Sequence, residues 1–116
     1  MSESIAVRQV APDVCVAGQL APEAMAAVAK AGFRSVVNNR PDFEYGPDQP
    51  TQASIEAAAR AAGLEYRFLP VAPGHQTPEQ IAAFASLLDE LPRPVLAFCR
   101  TGTRSAQLFA QAQAAG

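Results

Sequence analysis

The chain lacks a surplus of basic charge, a long apolar run and any crowding of cysteine or histidine, and each absence removes a class of function. Its net charge is −2 and its isoelectric point about 5.3, so nothing in its overall field draws nucleic acid or an anionic membrane. An anion held by this chain is held by a local site. No apolar run approaches the eighteen or so residues of a membrane span. The first residues, Met1-Ser2-Glu3-Ser4, carry no basic segment leading into an apolar one, which argues against a secretory leader. There are two cysteines, Cys15 and Cys99, and one histidine, His75. A single histidine among scattered carboxylates has no zinc-ligand spacing, so neither a metal nor a cofactor is expected. The expected setting is reducing and cytoplasmic, where a lone cysteine is kept for chemistry more often than for structure.

What is present is one domain's worth of chain. Its 116 residues are 49% apolar and 17% charged, enough for a single hydrophobic core, and no internal repeat or low-complexity tract interrupts them. Apolar runs alternate with helical patterns, which predicts an α/β fold: a mainly parallel sheet of about four or five strands flanked by helices. Ile5 to Val10 and Val14 to Ala17 read as short strands split by Pro12-Asp13, a turn signal. Pro22-Glu23 opens a helix that Gly32 closes. Ser35 to Asn38 reads as a buried strand, followed by the one long loop, Asn39 to Pro50, of a length that in compact domains is functional or mobile. A helix over Gln52 to Ala62, a strand over Glu65 to Leu69 and a capping-box start at Thr77-Pro78-Glu79-Gln80 follow. Ile81, Phe84, Leu87, Leu88 and Leu91 recur at helical spacing and form a core stripe. Val95 to Phe98 is a near-continuous apolar strand, expected at the centre of the sheet, and Ser105 to Ala115 is the last helix.

The strongest chemical signal lies where that strand hands over to that helix. Cys99-Arg100-Thr101-Gly102-Thr103-Arg104-Ser105 packs one glycine, two arginines and three hydroxyl residues behind a cysteine. A helix N-terminus offers unpaired N–H groups and the positive end of a dipole, so an anion is favoured there twice. Gly102 lets the backbone curl until successive N–H groups converge. The same field favours the thiolate of Cys99, and Arg104 adds a planar fork able to grip two anion oxygens. Thr101, Thr103 and Ser105 supply hydroxyls to the sulfur or to the helix start. Cys99 is therefore the candidate nucleophile and Arg104 its candidate anion-gripping partner, with Arg100, Thr101, Gly102, Thr103 and Ser105 as the anion loop.

These residues carry a resemblance. Asn38-Asn39-Arg40-Pro41-Asp42, Leu69-Pro70-Val71 and Pro94 through Ser105 look like the phosphatase-like domain of beta-lactamase-hydrolase-like proteins, and the likeness spans almost the whole chain. It implies a fold similar to that of dual-specificity tyrosine phosphatases, with the strand, anion loop and helix as active site. It also implies small anionic sulfur or phosphate substrates, since sulfurtransferase activity has been attributed to some members. The same resemblance implies a persulfide dioxygenase-like partner, because such domains occur alone or fused to one. Homologues usually continue past the helix that ends here at Gly116, so the resemblance implies a domain trimmed at its C-terminus.

The site departs from cysteine phosphatases in three ways. They place five residues between Cys and Arg, and here there are four. They commonly have His before the Cys, where this chain has Phe98. Their Asp general acid lies about thirty residues upstream, and the matching stretch here, Val71-Ala72-Pro73-Gly74-His75-Gln76, has no carboxylate. An alkyl phosphate needs a proton on its leaving oxygen, a contribution of typically 10²–10⁴-fold, whereas expelling sulfite from thiosulfate needs little help. The spacing Cys-x-x-Gly-x-Arg is similar to that of rhodanese loops. Sulfur transfer through a Cys99 persulfide is the expected reaction, with phosphate hydrolysis through a phosphocysteine, or anion binding without catalysis, as the alternatives.

A supporting cast is expected around the loop. Asn39, Arg40 and Asp42 follow a strand that should lie beside the Cys99 strand. Arg40 could hold substrate charge, and Asp42 could orient Arg104 or act as an acid; turn chemistry explains the same residues equally well. Glu44 and Asp48 read as solvated loop charges. His75 sits where phosphatases keep their acid, though a lone loop histidine is more often a surface residue. Cys15 could resolve an oxidised Cys99, but within Val14-Cys15-Val16-Ala17 it reads as packed.

Overall fold

A computed structural model describes residues 5–44 and 46–115; the leader reading at Met1 to Ser4 and the end of the chain at Gly116 lie outside them. Five strands form one sheet in the order β1-β2-β5-β3-β4. β1 (Val7–Ala11) and β2 (Val14–Ala17) make an antiparallel hairpin about Pro12-Asp13, with a register irregularity between Gln9 and Ala11. β3 (Ser35–Asn38), β4 (Glu65–Phe68) and β5 (Val95–Phe98) run parallel to one another and to β2. The mainly parallel α/β fold is as the sequence predicts, and β5 is indeed the central strand.

The period-2 geometry of a strand sends successive side chains to opposite faces, and β5 shows why the whole molecule has two cores. Val95 and Ala97 join Val14, Val16 and Val37 on one face, beneath α3 (Pro78–Glu90) and α4 (Thr103–Ala115). Leu96 and Phe98 join Val36 and Tyr66 on the other, beneath α1 (Met25–Lys30) and α2 (Gln52–Ala61). Phe84 and Leu88 of α3 are 0% and 5% exposed, so their stripe is core, as read. Burying a side chain of this size stabilises by about 1.5–3 kcal/mol. The Thr77 capping box is formed in full, its hydroxyl accepting from the Gln80 N–H while the Gln80 side chain accepts from the Thr77 N–H.

Some boundaries move. The first helix opens as a 3-10 turn at Pro22–Ala24 before α1 begins. α4 starts at Thr103, two residues ahead of the expected Ser105, because the Gly102 carbonyl already accepts the Ala106 N–H. That shift matters for the site, since it brings Arg104 into the first helical turn. No helix among the described residues is long and apolar enough to cross a membrane.

Candidate active site

β5 and β3 end side by side, so the residues that follow them, Cys99 and Asn39, emerge together at the carboxyl edge of the sheet, where open parallel sheets bind ligands. The strand ladder runs one step further on each side: the Cys99 N–H donates to the Ala17 carbonyl at 3.2 Å and the Asn39 N–H to the Phe98 carbonyl at 2.8 Å. Cys99 is 1% exposed, and its Sγ accepts a hydrogen bond from the Gly102 N–H at 3.0 Å. That bond closes the loop into a tight ring over the sulfur. The helix dipole of α4 begins at the same point.

Two glycines let the loop lie this close to β2. Gly102 has φ +90°, and a Cβ there would stand 3.3 Å from the Ala17 carbonyl carbon. A Cβ on Gly18 would stand 3.1 Å from the Arg100 carbonyl oxygen. The Arg100 carbonyl accepts from the Gln19 N–H at 3.1 Å, fastening the loop to the segment after β2. The hydroxyls divide their work. Thr101 Oγ1 accepts from the Thr103 N–H at 3.4 Å, at the start of α4, and Ser105 Oγ donates to Asn39 Oδ1 at 2.8 Å. It is the Gly102 amide, rather than a hydroxyl, that is seen on the sulfur.

Arg104 is held from three sides. Its Nη1 donates to the Val71 carbonyl at 2.9 Å and lies 3.5 Å from the Asn39 carbonyl oxygen. Its Nη2 donates to Glu44 Oε1 at 3.2 Å, and Nη1 stands 3.0 Å from Glu44 Oε2 in an ion pair that lacks hydrogen-bond alignment. Glu44 is thus no solvated charge: its side chain is 10% exposed and it also accepts from Arg40 Nε at 2.9 Å. Burial opposes the Glu44 carboxylate, but the hydrogen bonds and charges of Arg104 and Arg40 outweigh it and hold the carboxyl below its ordinary value. Sequence reasoning missed this residue. The only trace was the spacing Arg40-x-x-x-Glu44, ordinarily the mark of an exposed pair on a helix.

The structure corrects Asp42 as well. Its Oδ1 accepts from the Gln52 N–H at 2.7 Å, at the first turn of α2, and Glu44 is the carboxylate on Arg104. Arg40 is 6% exposed and engaged with Glu44 and, through Nη1, with Gln19 Oε1 at 2.9 Å. Asn39 Nδ2 donates to the Leu69 carbonyl at 3.0 Å, so its two ends tie the β4 exit to α4. Behind it, Asn38 donates to the Tyr66 hydroxyl, whose pKa burial pushes up to about 12. His75 is exposed in the loop before α3. Cys15 lies in β2 opposite Leu96, packed against the second core, where burial raises its pKa. No group of three or more His, Cys, Asp or Glu among the described residues is placed to hold a metal. A depression of about 270 Å³ opens on the loop, lined by Pro73, Gly74, Arg100, Thr101, Thr103, Arg104 and Gln107.

With this geometry in hand, comparison with known proteins places the chain. Residues 6–116 match the model of the beta-lactamase hydrolase-like protein, phosphatase-like domain, family. The chain belongs to that family. It is 38% identical over 97 residues to a beta-lactamase hydrolase-like protein of Xylella fastidiosa, covering 84% of this chain and 22% of that protein. The chain therefore spans about a fifth of the length of this curated relative. Among solved structures, a candidate phosphatase from Neisseria meningitidis superposes with a TM-score of 0.80 at 28% identity, over 87% of this chain and 71% of that one. The fold is also that of Tk-PTP in a mutant form, with a TM-score of 0.67 at 20% identity over 83% of this chain and 61% of that one. The domain is of the cysteine-based, phosphatase-like type, on a tyrosine-phosphatase fold.

Proposed function

We propose that this domain is a sulfurtransferase working through a persulfide on Cys99. The observation that carries the reading is the lining of the depression over Arg104: two arginines, two threonines, a glutamine, a proline and a glycine, with no carboxylate and no histidine among the described residues. An alkyl phosphate would find nothing among these residues to protonate its leaving oxygen, a deficit of about 10²–10⁴ in rate. Both nearby carboxylates are occupied, Glu44 on two arginines and Asp42 at the start of α2. The burial of Cys99 supports the same reading, because only a small, protruding atom reaches a sulfur that is 1% exposed. The outer sulfur of thiosulfate is such an atom.

In this mechanism the Cys99 thiolate attacks the outer sulfur of thiosulfate. A new S–S bond forms, the bond between the two thiosulfate sulfurs breaks, and sulfite leaves with the electron pair. Arg104 and the loop amides hold the anion's oxygens and then the terminal persulfide sulfur. A thiolate acceptor attacks that terminal sulfur, carries it away as its own persulfide and returns Cys99 as thiolate, in ping-pong order. Persulfide products are the substrates of a dioxygenase-like partner, so that partner belongs to the same proposal.

The second reading, phosphate hydrolysis through a phosphocysteine, is favoured by the family and by the phosphatase neighbours. One experiment separates them. Intact-protein mass spectrometry after thiosulfate treatment should show the mass of one added sulfur, absent in Cys99→Ser. An unmodified Cys99 together with rapid turnover of an alkyl phosphate would refute sulfur transfer and leave the phosphatase.

A further inference from the structure

The guanidinium of Arg104 has five N–H donors, and the structure shows which of them are committed. Glu44 lies across the end formed by the two Nη atoms, with Oε1 on Nη2 and Oε2 beside Nη1. The Val71 carbonyl accepts from Nη1, with the Asn39 carbonyl oxygen a further 3.5 Å neighbour. Among the described residues this leaves Nε–H and the outer Nη2–H without a hydrogen-bond partner. Those two point the same way from one edge of the planar group, the edge that matches two oxygens of an anion.

The carboxylate that imposes this choice is itself built into place. Phe43 adopts φ +57°, a conformation a bulky side chain rarely takes, and the residue is 62% exposed. The turn therefore sends Phe43 outward while Glu44, the next residue, faces inward at 10% exposure. The Glu44 N–H donates to Gln49 Oε1 at 3.1 Å, and Gln49 Nε2 donates to the Pro41 carbonyl at 2.8 Å, closing the loop behind it. Backbone strain of this kind persists where the surroundings over-determine it. Arg40, Glu44 and Arg104 together carry two positive charges and one negative, leaving one net positive charge in the cluster.

We propose that Glu44 is a positioning residue: clamped across the Nη1–Nη2 end of Arg104 and shared with Arg40, it turns the Nε–Nη2 edge of Arg104 toward the substrate anion. This rests on Arg104 gripping that anion, as in the reading above, and holds for either sulfur or phosphoryl transfer. A merely structural Glu44 would affect stability and leave the folded protein's kinetics alone. A positioning Glu44 separates binding from rate. Removing its charge strengthens the local field for anions, while an unaimed fork loses the geometry that the transition state needs.

The experiment compares wild type with Glu44→Gln and Glu44→Asp. Saturating rates are read with thiosulfate and with an aryl phosphate, whichever the wild type turns over, and sulfate binding is read by protection of Cys99 from iodoacetamide. Glu44→Gln should lose about 10–100-fold in saturating rate, with sulfate protecting at equal or lower concentration than in wild type. Glu44→Asp keeps the charge on a stem one methylene shorter and should fall between the two in rate with unchanged sulfate protection; this variant decides the matter where Glu44→Gln does not fold. Wild-type rates in the folded variants would overturn the proposal. So would rates that fall only in step with sulfate protection, since that marks a general loss of the site. A wild type that turns over the aryl phosphate and forms no persulfide refutes sulfur transfer alone, and one that turns over neither refutes both.

Discussion

The two loops that meet at Arg104 are built in opposite ways. The one from Cys99 to Gly102 is a backbone structure: the Gly102 amide on sulfur, the Cys99 amide on Ala17, the Arg100 carbonyl on Gln19, with glycines at the two closest approaches. The one over residues 39–50 is a side-chain structure, in which Arg40, Asp42, Glu44 and Gln49 each spend their polar atoms holding something in place. A backbone cradle is indifferent to most substitutions and intolerant at its glycines. A side-chain brace can be undone one atom at a time while the chain trace survives. The first sets where the anion sits, and the second sets how the guanidinium meets it.

The largest effect should come from breaking the backbone cradle. Gly102→Ala places a Cβ at φ +90° and 3.3 Å from the Ala17 carbonyl carbon, whereas Gly32→Ala meets the same kind of positive φ, +104°, with nothing within 4 Å. Left-handed backbone costs an L residue roughly 1–2 kcal/mol, so both variants should be destabilised by about that much in urea melts. Only Gly102→Ala also presses its loop against β2, straining the amide held on Cys99, and it alone should lose persulfide formation, by about 10–100-fold. Equal rates in the two variants would show that the Gly102 amide has no part in the chemistry.

The same contrast explains what could be read from the sequence. The Cys99 loop was legible because backbone geometry leaves a local signature, a glycine and hydroxyls at fixed offsets from a cysteine between a strand and a helix. The strand Ser35–Asn38 and the Thr77 cap were legible for the same local reason. Glu44 was not, since its partners are Arg104, sixty residues on, and Arg40, at a spacing that normally signifies nothing in a loop. Val71 contributes only a carbonyl to Arg104, for which its side chain gives no sign. Gly18 and Gln19 act because β5 inserts beside β2, a pairing across some eighty residues that no local pattern announces. Asp42 had the right chemistry for orienting Arg104, and its carboxylate went to the start of α2 instead.

A smaller effect, in pH, tests the side-chain brace as a whole. The carboxyl of Glu44 is held below its ordinary value in the folded protein, with burial opposing and the two arginines prevailing. A group whose folded pKa is depressed contributes stability above the unfolded value, about 4.3 for glutamate, and loses that contribution as pH falls through the folded value. Wild type should therefore be more stable than Glu44→Gln near neutrality, and the gap should narrow as pH drops below about 4.3. Urea midpoints of both proteins between neutral pH and about pH 3 measure it. A gap independent of pH would mean that the charge of Glu44 contributes nothing to the brace.

The smallest effect belongs to the residue that turns the brace inward. Phe43 is strained at φ +57° and exposes 62% of its surface, so its ring contributes little burial to offset the strain. Asparagine tolerates the left-handed region better than other L residues because its short side chain bonds locally. Phe43→Asn should therefore be neutral or stabilising by up to about 1 kcal/mol, with the loop, Glu44 and turnover unchanged. The measurement is a thermal melt beside the rate of persulfide formation. Two other results are informative. A melt that falls would mean that the ring packs onto the loop more than its exposure suggests. Turnover that falls with an unchanged melt would place the ring on the path of the acceptor. The expected result, a stable variant with full activity, leaves the turn's conformation as the feature that matters, serving to face Glu44 toward Arg104.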